Sequence, residues 1–140
     1  MPATPPDDLT RQLVGLFAAA NRRYAREIET AAAAHRLTAL QAKALLAADR
    51  PVPMRTIADT VHAEPSNVTA IIDKLEQRGL VERRPDPADR RVKLVAATED
   101  GHRVSADLLA RTPFVNDPFA ALDDAERERL LDMLRRVMES

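Results

Sequence analysis

Between Arg83 and Lys93 the chain gathers Arg83, Arg84, Arg90, Arg91 and Lys93 against only Asp86 and Asp89. That is three net positive charges in a chain whose formal net charge is −1, so the remainder carries −4. Cations concentrated in this way suit contact with a phosphate backbone, and an arginine at the tip of such a segment suits a narrow minor groove. A second set lies upstream. At helical spacing, Ser66, Asn67, Thr69, Ala70, Asp73, Lys74 and Gln77 share one face, opposite the apolar stripe Val68, Ile71, Ile72 and Leu75. Short hydroxyl and amide side chains near a helix N-terminus donate to phosphates and read base edges, and the terminus itself favours an anion. Lys74 and, further upstream, Arg55 add two phosphate candidates. Ser66 also suits an N-cap, a role compatible with phosphate donation.

Other chemistries find little support. There is no cysteine, which excludes disulfides, thiolate metal sites and cysteine nucleophiles. His35, His62 and His102 lie far apart, without metal-ligand spacing, so neither a metal nor another cofactor is expected. Gly15, Gly79 and Gly101 make no phosphate-cradling loop, and neither a nucleophile–base set nor a pair of catalytic carboxylates can be placed; the chain does not read as an enzyme. No apolar run approaches the ~20 residues of a membrane span. The opening Met1-Pro2-Ala3-Thr4-Pro5-Pro6 lacks the pattern of a secretion signal, so the expectation is a soluble, cytoplasmic protein.

The elements that must position these residues are mostly helical. Hydrophobic residues make up 45% of the 140, with only 3% aromatic, so the core must be built from Leu, Val, Ile and Ala. Residues 1–7 are proline-rich and expected to be disordered. From Asp8, the spacing of Leu9, Leu13, Leu16, Phe17, Ala20, Tyr24 and Ile28 predicts a helix to about His35, capped by Asp7 or Asp8. Thr38-Ala39-Leu40-Gln41 has the form of a capping box and opens a second helix to about Ala48. Pro51 and Pro53 break the pattern, and a short third helix starts near Met54 with Ile57, Ala58 and Val61 inward. Pro65 or Ser66 opens the fourth helix, and Arg78-Gly79 closes it.

The periodicity then switches to extended. Leu80 to Arg84 and Arg91 to Ala97, with Val92, Leu94 and Ala96 alternating, predict a β-hairpin joined by the turn-rich 85–90. Thr98 starts a fifth helix, with Val104, Leu108 and Leu109 on one face, stopped at Thr112-Pro113. A linker over 114–121 leads to a last helix entered through Asp123-Asp124-Ala125-Glu126, with Leu130, Leu131, Leu134, Val137 and Met138 as its stripe. Acidic positions from Asp117 to Glu128 read as solvated surface and caps.

The order is α1-α2-α3-α4-β-β-α5-α6: a mainly α fold with a small β-hairpin wing, a winged helix-turn-helix. Residues 36–111 form the DNA-binding domain, and 8–35 and 112–140 form helices for dimerisation. The end helices have no obvious partner in the same chain, and a second copy would cover them through an isologous two-fold interface.

Two stretches carry a family resemblance. One is Ser66-Asn67-Val68-Thr69 followed by Leu75-Glu76-Gln77-Arg78-Gly79-Leu80-Val81-Glu82-Arg83. The other is Asp86-Pro87-Ala88-Asp89-Arg90-Arg91 leading to Ala97-Thr98-Glu99-Asp100-Gly101. On these the chain resembles the MarR family (multiple antibiotic resistance regulators) from about Asp8 to Met138. The resemblance implies a recognition helix from Pro65 to Arg78, with Ser66, Asn67, Thr69 and Lys74 toward DNA. It implies that Arg91 reaches the minor groove while Asp89 holds its guanidinium. It also implies dimerisation through the end helices and a small anionic or phenolic effector in a crevice, for which Tyr24 and His35 are candidates. The bland alternative for Tyr24 is a dimer-core residue. Ala70 departs from the family's longer polar or basic residue, and Ala97 replaces its leucine.

The function expected is a homodimeric regulator, a repressor released from a pseudo-palindromic operator by its ligand. The alternative is a winged-helix protein-interaction module that binds no DNA. Such modules often lack a basic wing tip, so the cluster at 83–93 speaks against it.

Overall fold

A computed structural model describes residues 2–112 and 117–139. Among them the elements run α1 (Asp8–Ala33), α2 (Ala39–Ala47), β1 (Val52–Pro53), α3 (Met54–Val61), α4 (Pro65–Gln77), β2 (Val81–Pro85), β3 (Lys93–Ala97), α5 (Glu99–Ala110) and α6 (Asp124–Glu139). The order matches the sequence reading with one addition: Val52–Pro53, expected as a plain break, pairs with β3 as a third strand. The sheet is antiparallel with order β1-β3-β2. A proline pair is compatible with this short edge position, where few ladder donors are needed. The expected stop at Pro113 and the first part of the 114–121 linker lie outside the described residues.

Side-chain caps fix where helices start. Asp7, not Asp8, caps α1: its Oδ1 accepts from Thr10 N–H at 2.7 Å, which holds its carboxyl below the usual range. Thr38 and Gln41 form the expected reciprocal box, at 2.9 and 3.1 Å. Asp123 and Glu126 form another, at 2.8 and 3.0 Å. Three helices end in one way, with a left-handed residue and an N–H returning to a carbonyl five residues back. Leu37 returns to Ala32 past Arg36 (φ 56°), Ala63 to Ala58 past His62 (φ 54°) and Leu80 to Leu75 past Gly79 (φ 71°). Only the last used glycine and was legible beforehand.

The core lies where α2, α3, α4, α5 and the sheet meet. Leu45, Ile57, Val68, Ile72, Leu75 and Leu108 are fully enclosed, and Ala31 and Ala32 bring the end of α1 into the same cluster. On β3 the cluster takes Val95 and Ala97; of the alternating Val92, Leu94 and Ala96, Ala96 is buried and the other two are half-buried. Pairing on both edges sets Val95 against Val52 and Arg83, and Ala97 against Val81, so these residues share the sheet face that packs on the core. On α5 the buried residues are Gly101, Ser105 and Leu108, whereas Leu109 faces out. Gly101 abuts the Leu80 carbonyl so closely that a β-carbon would overlap it. This contact, with Thr98 Oγ1 donating to the Gly79 carbonyl at 2.6 Å, seats α5 on the turn that joins α4 to the hairpin.

Candidate nucleic-acid interface

The inner side of α4 is fixed by Val68, Ile72 and Leu75. Ser66, Asn67, Thr69, Ala70, Asp73, Lys74 and Gln77 are therefore all exposed on the other side. The start of the helix settles one expectation and corrects another: Pro65 rather than Ser66 opens it, and Ser66 is not its cap. Its N-cap is Glu64, whose side chain makes no capping bond, and Pro65 is the first helical residue. Ser66 is thus already inside the helix and is not the cap; proline's preset φ and missing N–H make it the favoured opener. Glu64 also sets a carboxylate beside the terminus, a feature the sequence reading missed. Thr69 Oγ1 donates to the Pro65 carbonyl at 3.1 Å, leaving its oxygen to accept. Lys74 and Arg55 are exposed and form no ion pair among the described residues.

The hairpin is braced at both ends. At its root, Arg83 donates to Asp73 and Glu76 of α4, both at 2.6 Å. The Asp73 bond is the main reason its guanidinium is held even more firmly protonated than usual. Arg83 was counted with the wing's outward charge, but it bolts β2 to the helix. At the tip, Asp86 accepts from Ala88 N–H at 2.9 Å and shapes the turn. Asp89 accepts from Arg91 three times: from Nε at 3.1 Å, from the backbone N–H at 3.1 Å and from Nη2 at 3.4 Å. Those donors hold the Asp89 carboxyl below its ordinary range. The Arg91 side chain is still 91% exposed, so it is oriented without being covered. Arg90 and Lys93 are exposed and free of ion pairs among the described residues.

Tyr24 and His35 are not brought together. Tyr24 lines a groove of about 520 Å³ with Asn21, Lys43, Leu46, Thr60, Val61 and His62, between α1, α2 and α3. Lys43 Nζ lies 5.8 Å from the Tyr24 ring centre, within cation–π reach. His35 is outside that lining. Its Nε2 stands 2.6 Å from Asp107 Oδ2 of α5, and Asp107 also accepts from Arg111 Nε at 2.7 Å. His102 likewise meets Asp49, at 3.0 Å. Among the described residues no group of His, Asp and Glu is arranged to hold a metal ion. No helix among them is long and apolar enough to cross a membrane.

A short helix, a tight turn, an amphipathic helix and a charged, braced hairpin define a winged helix-turn-helix protein. The sequence profile described as MarR family matches residues 34–93. The chain is 31% identical over 86 residues to the transcriptional regulator MhqR of Bacillus subtilis, a match covering 61% of this chain and 59% of that protein. It is 26% identical over 138 residues to the transcriptional repressor NicR of Pseudomonas putida, covering 96% and 87%. Among solved structures it resembles CouR from Rhodococcus jostii bound to p-coumaroyl-CoA, with 28% identity, a TM-score of 0.74, and 96% and 94% of the two chains covered. The chain is thus similar to MarR-family transcription regulators: residues 34–93 match the family's profile, and the likeness to NicR and CouR extends over nearly the whole chain. The relatives matched are regulators, not enzymes.

Proposed function

We propose that the protein is a homodimeric repressor that binds a pseudo-palindromic operator and leaves it when a small anionic or phenolic effector binds. In this reading α4 enters the major groove, with Ser66, Asn67, Thr69 and Lys74 toward the duplex, and Arg55 and Arg90 meet phosphates. Arg91, aimed by Asp89, enters the minor groove. The observation that carries the reading is that pair: a nearly fully exposed guanidinium oriented by two bonds to the Asp89 carboxylate, which also accepts from the Arg91 backbone N–H. Such a group is prepared for an anionic partner and gains little for the fold by itself.

Dimerisation through residues 8–35 and 112–140 is supported by what those helices leave open. Leu9, Leu13, Leu16 and Phe17 on α1, and Leu131 and Met138 on α6, are all exposed. The groove at Tyr24 suits the effector: Leu46, Ala47 and Val61 give it apolar surface beside the Tyr24 ring, and Lys43, with no carboxylate partner among the described residues, offers a charge to an anion. CouR, solved with an aromatic acyl thioester, is a regulator of similar fold that holds such a molecule. His35, engaged with Asp107, plays no part in that groove.

The test is a salt series of binding titrations against duplexes selected by the protein from a random library. Replacing Arg91 by Ala should lower affinity and flatten the slope of log K against log salt by about 0.9, one phosphate's worth. Affinity and slope both unchanged would remove the wing from the interface; a protein that selects no duplex at low salt would leave the protein-interaction alternative.

A further inference from the structure

Arg78, the residue that ends α4, reaches across the molecule. Its Nη2 donates to the His35 carbonyl at 2.7 Å and its Nη1 to the Arg36 carbonyl at 3.0 Å. Those carbonyls belong to the turn between α1 and α2, where Arg36 is left-handed. A planar guanidinium laid over two successive carbonyls fixes an angle as well as a distance. The same turn is held from another side by the His35–Asp107 contact to α5. The backbone at 35–36 is thus a junction that joins the reading helix to α1 and to α5.

We infer that Arg78 is a positioning residue that sets the angle between the recognition helix and α1, and through it the half-site spacing the dimer accepts. The inference rests on the proposed function: if α1 joins the two copies, its angle to α4 determines the separation of the two reading helices. DNA demands that this separation match one helical turn, ~34 Å. The side chain is exposed, and its loss opens no cavity. Its role is therefore separable from folding. Its guanidinium is engaged by carbonyls 42 and 43 positions earlier in the chain.

The experiment compares the wild type with Arg78→Gln and with Arg78→Lys, which can keep one of the two bonds. Duplexes carry two copies of the half-site recovered by the wild type, at the selected spacing and with one or two base pairs added or removed. The wild type should discriminate against altered spacings by roughly tenfold or more, and Arg78→Gln by less than about threefold, the scale set by a charged hydrogen bond. Arg78→Lys should fall between. Thermal midpoints should fall by several degrees at most, since two charge-assisted bonds are lost but no cavity opens, and the far-UV spectrum should be unchanged. Affinity lost equally at every spacing would mark a phosphate contact and overturn the inference, as would discrimination left intact.

A second measurement needs no DNA. The sequence has no cysteine, so spin labels at Ala19→Cys on α1 and Ala70→Cys on α4 report one distance. Labelled protein is mixed with an excess of unlabelled protein so that only distances within one copy are read. Arg78→Gln should broaden or shift the distribution; an unchanged distribution would overturn the inference. If the wild type selects no duplex, the proposed function fails while this measurement still decides what Arg78 does.

Discussion

The middle of the chain and its two end helices have the same apolar periodicity but very different burial. In the middle, α4 encloses Val68, Ile72 and Leu75 completely, against helices and strands of the same chain. At the ends, the first two-thirds of α1 leaves Leu9, Leu13, Leu16 and Phe17 more than half exposed, and α6 buries no residue at all. Burying one such side chain contributes about 1.5–3 kcal/mol, so an uncovered stripe is a large unrealised term. Periodicity therefore tells which face seeks cover, and only the tertiary structure tells whether the chain supplies it. One copy covers the apolar face of the body and leaves most of the end helices' apolar face exposed.

The comparison breaks most visibly at Ile72. Ile72→Ala removes a fully enclosed side chain and should lower unfolding free energy by about 3 kcal/mol in urea titrations, by a similar amount at every protein concentration. A loss under ~1 kcal/mol would mean the body is not the packed unit described. Leu16→Glu addresses the other region. Leu16 is 70% exposed, and glutamate keeps good helix propensity, so one copy in isolation should scarcely notice. A two-fold interface would meet the charge twice. Sedimentation equilibrium should then show the dimer dissociation constant raised by roughly a hundredfold. An unchanged constant would move the interface away from α1.

Reading the sequence went furthest where the signal is local. The Thr38–Gln41 box, the proline opening of α4, the Gly79 stop and the hairpin each depend on residues a few positions apart. What escaped was set by tertiary geometry. The β1 pairing needs β3, more than forty residues on. On β3 alternation separated two faces without telling which is buried, and it is packing against the core that encloses Val95 and Ala97. Arg83 looked like wing charge because its partners Asp73 and Glu76 lie on another element. His35 and His102 carry no recognisable spacing because their carboxylates, Asp107 and Asp49, are 72 and 53 residues away. At the candidate interface the exposed residues of α4 were legible, while the side chains that brace them, Arg78 and Arg83, were not.

A finer contrast between the two regions lies in their acid limbs. Asp107, in the body, accepts from His35 and then Arg111, and these bonds hold its carboxyl below the ordinary range. Folding thus favours the ionised form. The stability it contributes is whole above the unfolded value, about pH 3.9, and is lost as pH falls through the lower folded value. Asp7, at the outer end of α1, is lowered by Thr10 alone. Asp107→Asn should therefore flatten the fall of stability below about pH 4, by urea midpoints taken at successive pH values, and should converge with the wild type once the wild-type carboxyl is protonated in the folded as well as the unfolded state. Asp7→Asn keeps an equally good cap and joins an end that one copy leaves unpacked, so its profile should stay closer to the wild type. Equal flattening in the two variants would show the end helix to be as tightly coupled to global unfolding as the body, and would remove the distinction between the regions at its most sensitive point.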